Sequence, residues 1–194
     1  MPIETGEERV ADDPAVETSH TVAAAQGGDR SALESLLRDH YDKVFAVCHR
    51  LVGNDADAAD AAQEAMISVV RGLDRFDGRS SFSTWAYRIA YNASVDLLRR
   101  RSRRAASSID EPGQPFDHPT MDSVGSVDDK LDISLALQGL PVDFRGPVVL
   151  RDLCGLDYAE IGEVLKLPPG TVRSRIARGR GMLADSIKPA RSEK

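Results

Sequence analysis

The side chains best equipped for chemistry in this chain are arginines, and they are clustered. Arg99, Arg100, Arg101, Arg103 and Arg104 fill five of six consecutive positions, and residues 79–104 hold seven arginines against a single acid, Asp96. A second group, Arg173, Arg175, Arg178 and Arg180, lies in a ten-residue stretch without an acid, beside the hydroxyls of Thr171 and Ser174. A guanidinium offers its donors in a planar fork that matches phosphate and the guanine edge, so both clusters predict an anionic partner, nucleic acid foremost. Cations are also favoured at a helix C-terminus by the dipole, but five in six positions exceed what a cap requires. Negative charge is arranged differently. Asp57, Asp60 and Glu64 share with Arg71 the three- and four-residue spacing of one helical stripe, which taken alone reads as a solvated face.

Nothing comparable exists for catalysis. His40, Cys48 and His49 form a trio with ligand chemistry at i, i+8 and i+9, yet no fourth ligand or closing motif accompanies them. No catalytic residue, metal, cofactor or small-molecule substrate is therefore predicted. Cys48 and Cys154 fit neither a disulfide framework nor a paired-cysteine metal motif and read as buried free thiols.

Helices must position these groups, and the apolar spacing supplies them. Leu33, Leu36, Leu37, Tyr41, Val44, Phe45, Cys48, Leu51 and Val52 mark one face of a helix over 29–52, capped by Asp29 and stopped by Gly53. A second helix starts near Asn54 or Asp55, with Ala58, Ala62, Ala65, Met66, Val69 and Leu73 inward, its small alanines permitting close packing. After a turn through Phe76, Asp77, Gly78 and Arg79, Ser81 or Ser83 caps a long third helix with Trp85, Ile89, Ala90, Ala93, Leu97 and Leu98 inward. That helix runs into the first arginine cluster. Downstream, one helix ends at Pro141, a second covers roughly 144–153, and the stretch from Leu156 to Arg180 reads as helix, tight turn, helix. Asp157 caps the first of these last two; Pro169, Gly170 and Thr171 open the second, on which the arginines project. This is the layout of a helix-turn-helix whose second helix enters the DNA major groove, against which a plain two-helix hairpin with a basic face is the alternative.

The expected fold class is all-α: two small helical domains joined by a flexible acidic linker. The 194 residues suit one medium or two small domains, and 41% hydrophobic content suffices for real cores. The net charge of −6 resolves into blocks of −5 for residues 1–22, +2 for 23–104, −5 for 105–131 and +2 for 132–194. Residues 1–22 are read as a disordered acidic tail, and residues 105–128, rich in Ser, Pro and Gly, as the linker. No apolar run approaches the ~20 residues of a membrane span. The acidic start is not a secretory signal, so a cytoplasmic protein is expected.

Three segments carry a family resemblance: Asp57-Ala58-Ala59-Asp60-Ala61-Ala62-Gln63-Glu64-Ala65; Phe82-Ser83-Thr84-Trp85-Ala86-Tyr87-Arg88-Ile89-Ala90-Tyr91-Asn92; and Gly170-Thr171-Val172-Arg173-Ser174-Arg175. In order and spacing they resemble bacterial RNA polymerase sigma factors of the sigma-70 family, extracytoplasmic-function (ECF) subfamily, over about 24–104 and 131–186. The resemblance implies a sigma-2 domain at 23–104 and a sigma-4 domain at 129–188, with a C-terminal tail at 189–194. It implies that Asp57, Asp60, Gln63, Glu64 and Arg71 bind the beta-prime clamp helices of core RNA polymerase, with the beta flap as a further contact. Arg79, Ser80, Ser81, Phe82, Asn92, Arg99, Arg100 and Arg103 would bind the minus-ten promoter element. At helical spacing Phe82 and Trp85 read instead as core. Thr171, Arg173, Ser174, Arg175 and Arg178 would bind the minus-thirty-five element. Further implied are an anti-sigma factor, often membrane-anchored, and a linker threading the polymerase's RNA exit path.

The function expected is a dissociable promoter-specificity subunit; the alternative is a helix-turn-helix regulator that never joins polymerase, which would leave the acidic stripe and the basic third helix without a purpose. Three departures from the family pattern carry structural expectations. Gly146-Pro147 predicts a helix that begins later than in relatives. Lys166 sits where the family has Gly, predicting either an altered turn or a positive φ. Gly179 and Gly181 replace helix formers at ~1 kcal/mol each.

Overall fold

The computed structural model describes residues 14–108 and 129–187, with side chains over 17–105 and 133–187. Its elements are α1 (Pro14–Gln26), α2 (Arg30–Val52), α3 (Asp55–Gly72) with a 3-10 turn (Leu73–Arg75), α4 (Phe82–Ser108), α5 (Asp129–Gly139), α6 (Val142–Asp152), α7 (Tyr158–Leu165) and α8 (Pro169–Ile187). The fold is all-α, with no strand among the described residues.

The first unit is built on α2, α3 and α4, which pack on one another. Asp29 caps α2 by accepting from the backbone N–H groups of Ser31 (2.8 Å) and Ala32 (3.1 Å), and Gly53 ends it in the left-handed region at φ 90°. Asn54 caps α3 through the N–H of Asp57. Ala58, Ala61, Ala62 and Ala65 are fully buried. Without side-chain bulk there, α3 lies close against α2 and α4, and its charged stripe is left outside. Ser81 caps α4, its hydroxyl accepting from the N–H of Thr84 at 3.0 Å.

The tail boundary needs correction. Helix α1 begins at Pro14, inside the segment that composition assigns to a disordered tail, and buries Val22 and Ala25 in the core. Gln26 at its end donates to the carbonyls of Leu73 and Phe76, both at 2.9 Å, tying α1 to the turn before α4. Residues 1–13 and most of the expected linker, 109–128, lie outside the described residues, while α4 runs on to Ser108.

In the second unit α8 packs on α5, α6 and α7. Here the expected late start of a helix at Pro147 is also overturned: α6 begins at Val142 and carries Pro147 inside it. A proline disfavours helical backbone in the residue before it by clashing with that residue's Cβ, and Gly146 has none. Burial of every residue from Arg145 to Leu150 supplies the packing that outweighs the lost backbone bond. Gly146 has a second reason to be glycine, since a Cβ there would lie 2.6 Å from the Tyr91 ring of α4.

Candidate polymerase and nucleic-acid interfaces

The α3 stripe is divided by its partners. Asp60, Gln63, Glu64 and Arg71 are exposed, whereas Asp57 retains only 21% of its side-chain exposure. It forms an ion pair with Arg101 of α4 and accepts from the amide of Asn54 at 2.7 Å. Beside Gln63 runs an open groove of about 630 Å³ between α2 and α3, lined by Leu37, Tyr41 and Met66 among others. Tyr41 is 42% exposed, although periodicity assigned it to the core face. The stripe thus presents two free carboxylates and an amide beside an apolar trough, which suits a helical partner with basic and apolar side chains.

The turn preceding α4 holds the first nucleic-acid candidates. Asp77 accepts from the Arg79 backbone N–H at 3.2 Å and pairs with its guanidinium at 3.1 Å, so the exposed Arg79 is held against its own turn. Ser80 is half-buried and Ser81 exposed. Phe82 is placed otherwise than expected of a DNA contact: at 4% exposure its ring meets His40 edge-on at 4.8 Å and packs on Phe76 and Trp85. An aromatic committed to the core has no free face for a base, so Phe82 is a core residue, and Trp85 is buried beside it. Burial also lowers the pKa of His40.

Along α4, Asn92, Arg99, Arg100 and Arg103 are all exposed. Arg88, which the sequence reading did not single out, is exposed one turn before Asn92 and extends the line. From Arg88 to Arg103 the stripe spans about 22 Å at 1.5 Å per residue, several phosphates of a strand. Only Asp96 interrupts it, pairing with Arg99 at 3.6 Å. The missed signal was spacing: 88, 92, 99 and 103 lie on one helical face.

The second interface is the α7-turn-α8 unit. Asp157 accepts from the N–H groups of Ala159 (2.7 Å) and Glu160 (2.8 Å), and Glu160 accepts in return from the Asp157 N–H (2.8 Å), a complete capping box. Lys166 closes α7 at φ 56°, ψ 46°, so of the two expectations for this position the positive φ holds. The turn is tight enough that a Cβ on Gly162 would approach the Leu167 carbonyl to 2.8 Å. On α8, Val172, Ile176 and Gly179 face the core, leaving Arg173, Ser174 and Arg178 exposed and Thr171 and Arg175 half-buried. Ser174 donates to the Thr171 carbonyl at 2.9 Å. Arg175 reaches Asp143 at 3.4 Å, and Arg180 pairs with Asp152. The guanidinium of Arg173 lies 5.2 Å from the centre of the Tyr158 ring, and that of Arg151 lies 5.0 Å from it, both within cation–π range.

Neither thiol is activated. Burial pushes Cys48 up to about 11 and Cys154 up to about 12, so both are protonated at neutral pH. His40 Nδ1 faces the Leu36 carbonyl at 2.8 Å and His49 Nε2 faces Asp55 at 3.2 Å, so these rings have separate partners.

An all-helical pair of units bearing an exposed acidic stripe, an arginine-lined helix and a helix-turn-helix has the layout of a DNA-binding protein. Two family models match the chain: Sigma-70 region 2 over residues 36–104 and Sigma-70, region 4, over residues 130–183. The ECF RNA polymerase sigma factor SigE of Mycolicibacterium smegmatis is 38% identical over 93% of this chain and 72% of that protein. SigW of Bacillus subtilis, also an ECF RNA polymerase sigma factor, is 33% identical over 83% of this chain and 91% of that protein. Among solved structures, sigma factor RpoE in complex with the anti-sigma factor NepR from Bartonella quintana superposes with a TM-score of 0.67. It covers 81% of this chain and 98% of its own at 24% identity, a likeness of fold. The chain belongs to the ECF sigma factors of the sigma-70 family, promoter-specificity subunits of RNA polymerase, whose members are non-catalytic initiation factors.

Proposed function

We propose that this chain divides the work of initiation among three surfaces. The exposed Asp60, Gln63, Glu64 and Arg71 of α3, with the neighbouring apolar groove, dock on the clamp helices of the polymerase beta-prime subunit. Asp57 contributes once its ion pair with Arg101 is released. The turn from Arg79 to Ser81 and the stripe of Asn92, Arg99, Arg100 and Arg103 capture the minus-ten strand as it is melted. Opening a duplex costs unstacking energy, which polar edge contacts and cations on the captured strand offset. Asn92 has the bidentate amide suited to a base edge, and the arginines hold phosphates. On α8, Arg173, Ser174 and Arg178 read the minus-thirty-five element, with Thr171 and Arg175 anchoring the backbone.

The domain limits 23–104 and 129–188, with α1 added to the first, follow from the same reading, as do a cytoplasmic location, contact with the beta flap and control by an anti-sigma factor. No described helix is long and apolar enough to cross a membrane, so any tethering at the membrane would come from the anti-sigma partner.

The observation that carries this reading is the exposure of an acidic stripe on α3 in the same chain as two arginine-bearing DNA surfaces, because a regulator that ignores polymerase has no use for the first. Charge reversal of Asp60 and Glu64 to Lys tests it. Affinity for core polymerase is expected to fall at least tenfold, about 1.4 kcal/mol, while binding of the isolated protein to DNA is retained. Undiminished core affinity in the double reversal would overturn the assignment.

A further inference from the structure

Two of the arginines on α8 are occupied by carboxylates: Arg175 pairs with Asp143 and Arg180 with Asp152. Arg173 is held differently. It is exposed, no carboxylate pairs with it among the described residues, and its guanidinium lies 5.2 Å from the centre of the Tyr158 ring. A carboxylate takes up N–H donors of a guanidinium and cancels its charge, whereas an aromatic face attracts the charge and leaves the donors of the planar fork unused. An arginine resting on a ring is thus placed and still able to bond a guanine edge.

The ring is itself fixed from two directions. Tyr158 is the first residue of α7, directly after Asp157, whose carboxylate accepts from the N–H groups of Ala159 and Glu160 in the capping box. The backbone beneath the ring is therefore locked. From α6, Arg151 donates to the Leu156 carbonyl at 2.7 Å, and its guanidinium lies 5.0 Å from the ring centre. Half-burial of Tyr158 against the apolar core restricts the ring further. Arg151, Tyr158 and Arg173 so link α6, α7 and α8, and Arg173 stands in the first half of α8, the part of a recognition helix that meets base edges.

We propose that Tyr158 is a positioning residue for promoter reading: its ring, steadied by Arg151, presets the Arg173 side chain for the minus-thirty-five element. The proposal rests on the assignment of Arg173 to that element given above. An arginine loses rotamer freedom when it binds, and a contact already made in the free protein lowers that cost. Orientation matters as much as attraction, because the fork reads a base only when its N–H groups line up with the acceptors. Tyr158 therefore acts on discrimination between bases at the pairs Arg173 contacts, and not on the sequence-independent attraction to phosphate.

The test uses the full chain assembled with core polymerase and a library of upstream duplexes, whose bound and unbound pools are sequenced to give the preference at each base pair. Arg173→Ala is expected to erase the preference at the pairs it contacts. Tyr158→Leu is expected to lower the preference at those same pairs roughly two- to thirtyfold, the span of a cation–π contact from exposed to desolvated. Other positions and the salt slope stay unchanged. Tyr158→Phe keeps the ring and is expected to keep the preference. In the Arg173→Ala background, Tyr158→Leu is expected to add no further loss. A tyrosine that serves packing alone would instead weaken every position, with or without Arg173. Arg173 base pairs untouched by Tyr158→Leu, or an equal loss in the Arg173→Ala background, would overturn the proposal. Where Tyr158→Leu lowers the melting temperature, pentafluorophenylalanine at position 158 is compared with Tyr158→Phe. The fluorinated ring keeps the shape and inverts the charge of the face, so a lower preference at the same pairs is expected, and an equal one would overturn the platform. Arg173→Ala that alters no base pair would contradict the promoter-reading assignment itself and the platform with it, a result seen without any Tyr158 variant.

Discussion

At the residue scale, the chemistry legible in the sequence was the chemistry of type and spacing. Arg173 and Arg178 were found because they cluster with Thr171 and Ser174 in an acid-free stretch after a capped turn, and the structure leaves both exposed. Replacing either with Ala is expected to weaken binding to a minus-thirty-five duplex by about 1–3 kcal/mol, with core polymerase affinity unchanged in a co-migration assay. Loss of core binding in those variants would contradict the placement of the two functions on separate units. The rings of Phe82 and Tyr41 were harder to place. Phe82 stands beside a polar turn in sequence but is buried by α2, and Tyr41 has core spacing yet lies at the rim of an open groove. Neither neighbour is visible from local pattern. The buried His40 makes a separate prediction. Its folded-state pKa is below the ordinary 6.5, so the unfolded chain binds the proton first. Stability is therefore undiminished above pH 6.5 and is lost as pH falls through and below that value. Melting temperature measured from pH 7.5 downward should drop in that window, and His40→Gln should flatten the drop.

At the element scale, helix existence and capping were well specified locally: Asp29, Asn54, Ser81 and Asp157 all cap as their positions suggest. What local pattern mispriced were the glycines and the proline of the second unit. Gly179 reads as a weak point of α8, but it is buried, and a Cβ there would lie 2.7 Å from Val148 and 3.2 Å from the Phe144 carbonyl. Gly181 faces open space. The two should respond oppositely to Ala: Gly181→Ala is expected to stabilise the protein by up to ~1 kcal/mol. Gly179→Ala should destabilise it by about 1–3 kcal/mol through overpacking, and thermal denaturation of both variants reads the sign. Helix α4 makes an electrostatic prediction. If Arg99 and Arg103 each neutralise one phosphate, changing both to Gln lowers the salt slope of binding to the minus-ten single strand by about 1.4, at 0.7 per contact. An unchanged slope would mean that the stripe is only solvated.

At the scale of the whole molecule, the net charge of −6 concealed two basic units, each +2, separated by acidic segments. That partition was legible because charge accumulates along the chain. The contact between the two units was not, because it combines a shared apolar core with single polar bonds, Thr84 to Glu160 and Gln138 to Arg50, that follow no period. The acidic residues 1–22 and 105–131 predict a further effect: neutralising them should raise the affinity of the free protein for non-specific DNA and steepen its salt dependence. The central claim, that this ECF sigma factor carries its polymerase contact on α3 and its promoter readers on α4 and α8, is tested most directly by run-off transcription. Purified core polymerase is supplied with the protein and a library of upstream DNA. The account predicts initiation from the subset of templates sharing two separated motifs, abolished by reversal of Asp60 and Glu64 and weakened by Arg173→Ala. Failure to bind core and to restore initiation on any template would contradict it.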